Sequence, residues 1–234
     1  MNRFRKVFTP RHVVLPVIHV ANLKQAIRNV AVAHGAGADG VFLINHSIGD
    51  TELLQIYGEA KEAYPEFWIG VNCLGLMPEA VFQAIPDTMA GVWVDNAMIR
   101  EESESQERAE TITNVREQRK WHGLYFGGVA FKYQRPVKDL VSAARIASRY
   151  IDVVTTSGPG TGQAAAVDKI RTMKDALGDF PLAIASGITP ENVRDYLDCA
   201  DCFLVATGIS RTFEELDLTC LLTLLAEVRG AGEA

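Results

Sequence analysis

The chain has 234 residues, with 23 Lys and Arg against 29 Asp and Glu, a formal net charge of −6, and 48% apolar residues. That apolar content excludes a disordered acidic tail or a low-complexity fibre, and the negative balance excludes a protein that coats nucleic acid, which needs a basic face to displace counterions. The length suits one large domain or two small ones.

Residues 1–12, MNRFRKVFTPRH, are basic and lack the apolar core of a signal peptide. They are expected to form a solvated N-terminal lead segment whose charges are free to touch an anionic surface. From residue 13 to 230 one pattern repeats. A short run rich in Val, Ile, Leu and Phe ends in a polar residue or glycine, and a longer amphipathic stretch follows. The runs are Val13 to Val20, Gly40 to Asn45, Phe67 to Leu74, Gly91 to Ala97, Leu124 to Lys132, Asp152 to Gly158, Leu182 to Gly187 and Cys202 to Gly208. Their length and β-branched content predict strands buried on both faces, as in a parallel sheet.

The stretches between them read as helices. Ala109, Ile112 and Val115 give a thin apolar stripe within the mostly polar segment 104–120. Val137, Leu140, Val141, Ala144 and Ala147 follow helical spacing, as do Val167, Ile170, Met173 and Leu177. Thr189-Pro190-Glu191-Asn192 has the composition of a helix start. Leu216, Cys220, Leu221, Leu224, Leu225 and Val228 complete the last helix. Eight strand–helix units predict a single-domain α/β protein, a (β/α)₈ barrel. The rival, an open doubly wound sheet, normally has Gly-x-Gly-x-x-Gly after its first strand, and here His19-Val20-Ala21-Asn22 stands there.

No apolar run reaches the ~20 residues of a bilayer span, so no membrane span and a cytoplasmic location are expected. Cys73, Cys199, Cys202 and Cys220 are too few for a disulfide scaffold. The lone Cys199-x-x-Cys202 has no second pair to complete a zinc site, so packed thiols are expected.

A barrel of this kind carries its chemistry at the carboxyl ends of the strands. Those ends are His19, Asn45 with His46, Asn72, Asp95 with Asn96, Lys132, Thr155 to Ser157, Ser186 and Thr207. Asp95 is suited to proton transfer, His19 to acid–base work, and Lys132 to holding an anion or, if desolvated, to forming a Schiff base. The alternative for Asp95 and Lys132 is a salt bridge that only closes the barrel top. Asn45 and Asn72 are expected to orient substrate hydroxyls, with Thr156 and Ser157 as further substrate-binding residues. Alternation places Trp93 inward with Asp95, with Gly70, Gly128 and Ala130 as its small partners.

The last three strands end in glycine and hydroxyl residues. Gly160, Thr161, Gly162, Ser186, Gly187, Thr207, Gly208 and Ser210 form a candidate phosphate site, with Arg211 adding charge. Glycine lets backbone N–H groups approach an anion, and late-strand loops of barrels often do so. No cofactor is expected. A divalent metal on Asp95, Asn45, Asn72 and His19 lacks a pairing that fixes ligand geometry. Glu101 to Glu104 reads as a solvated loop, or as a lid bearing a carboxylate.

The segments from Thr155 to Gly162, from Ala185 to Val193 and from Leu204 to Ser210 resemble the BtpA/SgcQ family of TIM-barrel proteins. Further matches lie at Gly128 to Lys132, Ile69 to Asn72 and Ile18 to Val20, so the resemblance covers most of the chain. The chain departs from the family at Val20 to Leu23, where a Leu-Pro-Leu-Pro-Gly stretch is usual, at Tyr133, where His is usual, and at Gly127 or Gly128, where Asp is usual. The resemblance implies a barrel and defines no reaction. The late-strand loops are also similar to ribulose-phosphate-binding barrels such as phosphoribosylanthranilate isomerase. The expected function is an enzyme acting on a small phosphorylated metabolite, a sugar phosphate or ribonucleotide-like compound, by isomerase, lyase or glycosyl-transfer chemistry. The alternative is a non-catalytic, BtpA-like assembly or regulatory protein. The expected partners are a small anionic ligand and a second copy of the chain, since barrels often pair.

Overall fold

The computed structural model describes residues 2–230. Its eight strands are β1 (Val13–Val20), β2 (Val41–Asn45), β3 (Ile69–Asn72), β4 (Gly91–Val94), β5 (Leu124–Gly128), β6 (Val153–Thr156), β7 (Leu182–Ala185) and β8 (Cys202–Val205). All pair in parallel in chain order, and β8 pairs back on β1 to close the barrel. The outer layer is α2 (Leu23–Gly35), α3 (Asp50–Ala63), α4 (Pro78–Ala84), α5 (Glu107–Gln118), α6 (Leu140–Ala147), α7 (Val167–Leu177) and α8 (Leu218–Gly230). The expected (β/α)₈ barrel is therefore the fold.

Alternation along each strand divides the apolar residues into two cores. Val14, Ile18, Leu43, Val71, Val92 and Phe203 face outward and pack beneath the helices. Val13, Leu15, Val17, Phe42, Ile44, Trp93, Phe126, Val153, Ala183 and Leu204 face inward and fill the cylinder. Such filling makes the interior a packed core, with open space only at its ends.

The glycines expected to make room for Trp93 serve other neighbours. A Cβ on Gly70 would lie 2.5 Å from the Phe42 ring, and one on Gly91 would lie 2.2 Å from the Trp68 ring. The ring that needs this space is Trp68, which lies outside the strands. A Cβ on Gly128 would lie 1.9 Å from the Asp95 carbonyl oxygen, so this glycine lets the β4 and β5 ends approach each other. Ala130 falls beyond β5, in a turn where its φ is +49°.

Residues 2–12, the described part of the expected lead, are not free in solvent. Asn2 caps the short helix α1 (Arg3–Val7), and Phe4 and Phe8 are buried in the barrel interior. Two of the basic residues are engaged as well, while Lys6 and Arg11 are exposed. Arg3 pairs with Asp152 at 3.0 Å and Arg5 with Asp201 at 2.8 Å, so they staple the plug instead of facing an anionic surface. After β7 the expected helix is reduced to one 3₁₀ turn, Val193–Tyr196. Its organiser is Asn192, which accepts from the Thr189 N–H at 2.9 Å and donates to the Gly187 carbonyl at 2.8 Å. All four cysteines are free, and Cys220 is exposed where packing was expected. Among the described residues no helix is long and apolar enough to cross a membrane.

Candidate functional site

The carboxyl ends of the strands surround a cavity of about 230 Å³. Period-2 alternation builds its lining. Val17 and His19 come from β1, Ile44 and His46 from β2 and the residue beyond, and Trp93 and Asp95 from β4 and the residue beyond. Ala185, Leu204 and Ala206 complete the floor. Lys132, Tyr133, Thr161, Gly162, Ser186, Thr207 and Phe213 form the upper walls.

Asp95 is the acid–base candidate that the geometry favours. Burial raises its carboxyl pKa, partly offset by a hydrogen bond from Asn72 and by the positive charge of Lys132. Asn72 Nδ2 donates to Asp95 Oδ1 at 3.0 Å, so this amide positions the carboxylate and does not line the cavity. Gln134 Nε2 donates to the Asp95 carbonyl and holds the backbone from the other side. The barrel-closing salt bridge between Asp95 and Lys132 does not form. Lys132 Nζ instead donates to Thr161 Oγ1 at 3.3 Å.

His19 and His46 stand side by side, their ring centroids 4.9 Å apart. Burial, with lesser repulsion from His46 and Lys132, pushes the His19 pKa down to about 4. Burial also lowers that of His46, against the pull of Asp95. Both are neutral rings at pH 7. Phe213 lies over them, 3.9 Å from His19 and 5.3 Å from His46 between centroids. Its loop is latched to α2, where Gln25 and Asn29 both donate to the Glu214 carbonyl. Trp93 Nε1 and His19 Nδ1 are buried without hydrogen-bond partners. Unpaired buried polar atoms are rare in folded proteins and gather where a ligand or water completes them.

The expected phosphate residues divide into two sets. Thr161, Gly162, Ser186 and Thr207 line the cavity. Ser186 Oγ donates to the Gly160 carbonyl and accepts from the Gly162 N–H, both at 3.0 Å, and so ties two late loops together. Its φ of +103° is a strained conformation of the kind that marks functional sites. Gly160, Gly187 and Gly208 lie behind this surface. A Cβ on Gly187 would lie 2.3 Å from the Ala164 nitrogen, and one on Gly208 would lie 2.1 Å from the Ile188 carbonyl oxygen. These two glycines let loop backbones stack directly. Ser210 turns away and donates to the Ala206 carbonyl at 2.8 Å, and Arg211 pairs with Asp217.

Other expected residues support the rim without lining it. Asn45 belongs to the outward set of β2, because Ile44 faces in. Its amide donates to the Ile48 carbonyl and to Asp50, both at 3.1 Å, and its oxygen accepts from the Leu74 N–H. Thr156 donates to the Ala130 carbonyl at 3.2 Å, and Ser157 Oγ accepts from the Lys132 N–H at 2.8 Å. These contacts shape the turn that carries Lys132. Lys169, absent from the sequence reading, donates to the Ala130 and Ser157 carbonyls, both at 2.6 Å. Burial lowers its pKa to about 8.

Tyr133 and Phe213 also escaped the sequence reading as site residues, and His46 stood among the strand ends without a role. Inward alternation through Phe42 and Ile44 leads directly to His46. Phe213 carries no such signal, since a latched loop brings it to the mouth. In the Glu101 to Glu104 loop, Glu102 and Glu104 are exposed as a solvated loop predicts, and Glu101 is the exception. Arg135 pairs with it, the Lys138 N–H donates to it at 3.0 Å, and its pKa is held well below the usual carboxylate range. That loop borders a separate cavity of about 440 Å³ between α5 and α6. There Arg108 and Arg135 are paired with carboxylates, and the half-buried acid of the mouth has no counterpart. Among the described residues no three His, Cys, Asp or Glu side chains are grouped to hold a metal ion.

No protein-family model and no curated protein matches the chain. Solved structures do resemble it. The phosphoribosyl anthranilate isomerase of Thermus thermophilus superposes with a TM-score of 0.66 at 15% identity, covering 94% of this chain and 99% of that one. A protein described as native KDPGal gives a TM-score of 0.70 at 14% identity over 97% and 99%. The (S)-3-O-geranylgeranylglyceryl phosphate synthase of Thermoplasma acidophilum, in complex with its substrate sn-glycerol-1-phosphate, gives 0.67 at 17% identity over 97% and 97%. At such identities the likeness establishes the barrel fold alone.

Proposed function

We propose that the protein is a barrel enzyme that acts on a small phosphorylated metabolite by proton transfer at the barrel mouth. The observation that carries this reading is one small cavity joining a half-buried carboxylate of raised pKa, Asp95, to an ammonium, Lys132, that forms no salt bridge among the described residues. In this reading the anionic end of the ligand rests against Lys132, Gly162, Ser186 and Thr207. A flexible amine and close-approaching backbone suit a phosphate. Asp95, oriented by Asn72, gives and takes a proton on the ligand body, and a raised pKa brings a carboxyl nearer to useful acid–base strength. The neutral His46 beside it offers a second proton site. Two of the structural neighbours are named for phosphorylated compounds, which supports this choice of ligand by analogy only.

Membership of the BtpA/SgcQ family rests on the segment Ala185 to Val193 and its companions, and is part of the proposal. A non-catalytic role predicts that Asp95→Ala and Lys132→Ala leave the protein's ligand responses unchanged.

The test is thermal shift across phosphorylated metabolites, with Ser186→Asp as the control. Stabilisation that Ser186→Asp abolishes supports the site. If no phosphorylated compound stabilises the wild type, and Ser186→Asp behaves identically, the phosphate reading fails.

A further inference from the structure

The mouth cavity has an apolar floor. Its floor is Val17, Ile44, Trp93, Ala185, Leu204 and Ala206. Its wall toward β1 and β2 is a cluster of rings, with Phe213 against the neutral His19 and His46.

Several of the groups that would recognise a polyol are engaged elsewhere, and Asp95, His19, His46, Lys132 and Thr207, which remain, stand on the walls of the cavity above its floor. The Asn45 amide braces the loop beyond β2, and the Asn72 amide holds Asp95. Ser186 Oγ joins Gly160 to Gly162. Thr161 Oγ1 lies 3.3 Å from both Lys132 Nζ and the Tyr133 hydroxyl. A buried sugar hydroxyl without a partner loses its hydrogen bonds to water and gains nothing in return. A flat apolar body demands no such partners, and contact with the floor and the rings stabilises it. Trp93 Nε1 remains as an unpaired buried donor in that floor.

We propose that the ligand is a compact anion with a flat, unsaturated apolar body, an aryl phosphate in type, in preference to a polyhydroxylated sugar phosphate. The proposal rests on the phosphate reading of the mouth and narrows it. The anionic end faces Lys132 and Thr207, and the flat body lies between the Phe213–His19 wall and the apolar floor. With a cavity of about 230 Å³, one ring and one anionic group are accommodated.

Calorimetric titration of the full chain with phenyl phosphate, ribose 5-phosphate and inorganic phosphate tests this. Phenyl phosphate is expected to bind about tenfold or more tighter than ribose 5-phosphate, the scale of one well-packed ring. Phe213 is half-exposed, so Phe213→Ala is expected to fold. It should weaken phenyl phosphate about tenfold and inorganic phosphate far less, while Phe213→Tyr restores the preference. Equal or tighter binding of ribose 5-phosphate overturns the inference and leaves the phosphate reading intact. An equal loss of phenyl phosphate and inorganic phosphate in Phe213→Ala overturns it too. If none of the three binds, the phosphate reading falls and the inference with it.

Discussion

Asp95 combines two properties that rarely coincide for structural reasons alone. It is a carboxylate whose charge is disfavoured by burial, and its one side-chain partner is a neutral amide, Asn72. A group with a raised folded pKa binds protons more tightly in the native state, so its contribution to stability falls as pH rises through that pKa. At pH 7 the charge is therefore a cost. Asp95→Asn removes it and is expected to raise stability by roughly 1 kcal/mol while turnover falls by about 10²-fold or more. Chemical denaturation and a proton-exchange assay with the identified substrate check the two effects. His19 has the opposite linkage. Its folded pKa of about 4 lies below the unfolded 6.5, so the unfolded state binds more protons across that interval and stability falls on acidification. His19→Asn is expected to lose less stability between pH 6.5 and 4 than the wild type, as read by melting temperature. Part of the slope persists because His12 and His46 are shifted in the same direction.

At the level of elements, the site depends on how strand ends and loops approach each other. β4 and β5 meet where Gly128 passes the Asp95 carbonyl, and the loops after β7 and β8 meet where Gly208 passes that of Ile188. Gly208→Ala places a Cβ against a backbone oxygen with no flexible side chain to yield. A loss of about 1–3 kcal/mol is expected, with weakened phosphate binding. The β5–α6 turn is a second such element. Lys169 and Thr156 converge on the Ala130 carbonyl and hold the positive φ that directs Lys132 toward the cavity. Lys169→Met leaves both carbonyls short of a donor. It is expected to weaken phosphate binding more than it lowers the melting temperature, with partial recovery in Lys169→Arg. An equal effect on both measurements would mark Lys169 as a general brace.

Over the whole molecule, the barrel is closed at one end and open at the other. Phe4 and Phe8 fill the bottom, where Arg3 and Arg5 staple α1 to Asp152 and Asp201. The packed interior continues upward through Phe126, Phe42 and Trp93 and stops at the mouth cavity. Phe4→Ala removes a fully buried ring from the plug and is expected to cost about 3–5 kcal/mol by denaturant titration. The mouth lies at the other end, so phosphate binding by the folded fraction should be unchanged.

The eight strands, their order and the helical layer were legible in the chain because burial on both faces imposes a local pattern of apolar runs. The polar strand ends were legible for the same reason, and Asp95 stood out at once. Alternation carried further still: two steps beyond Ile44 is His46, and Asn45 has to face the helices. What the sequence could not announce depends on contacts between distant segments. Phe213 reaches His19 only through the latch on Gln25 and Asn29, and Lys169 reaches the Lys132 turn only because β5 and β6 are neighbours in a closed cylinder. The buried plug of Phe4 and Phe8 was hidden by the basic residues around it, whose partners lie far along the chain. Periodicity is a property of consecutive residues, so the sequence alone determined the barrel and its polar rim. Which rim residues face the cavity depends on closure of the cylinder and the packing of its loops, and only the tertiary structure decided that.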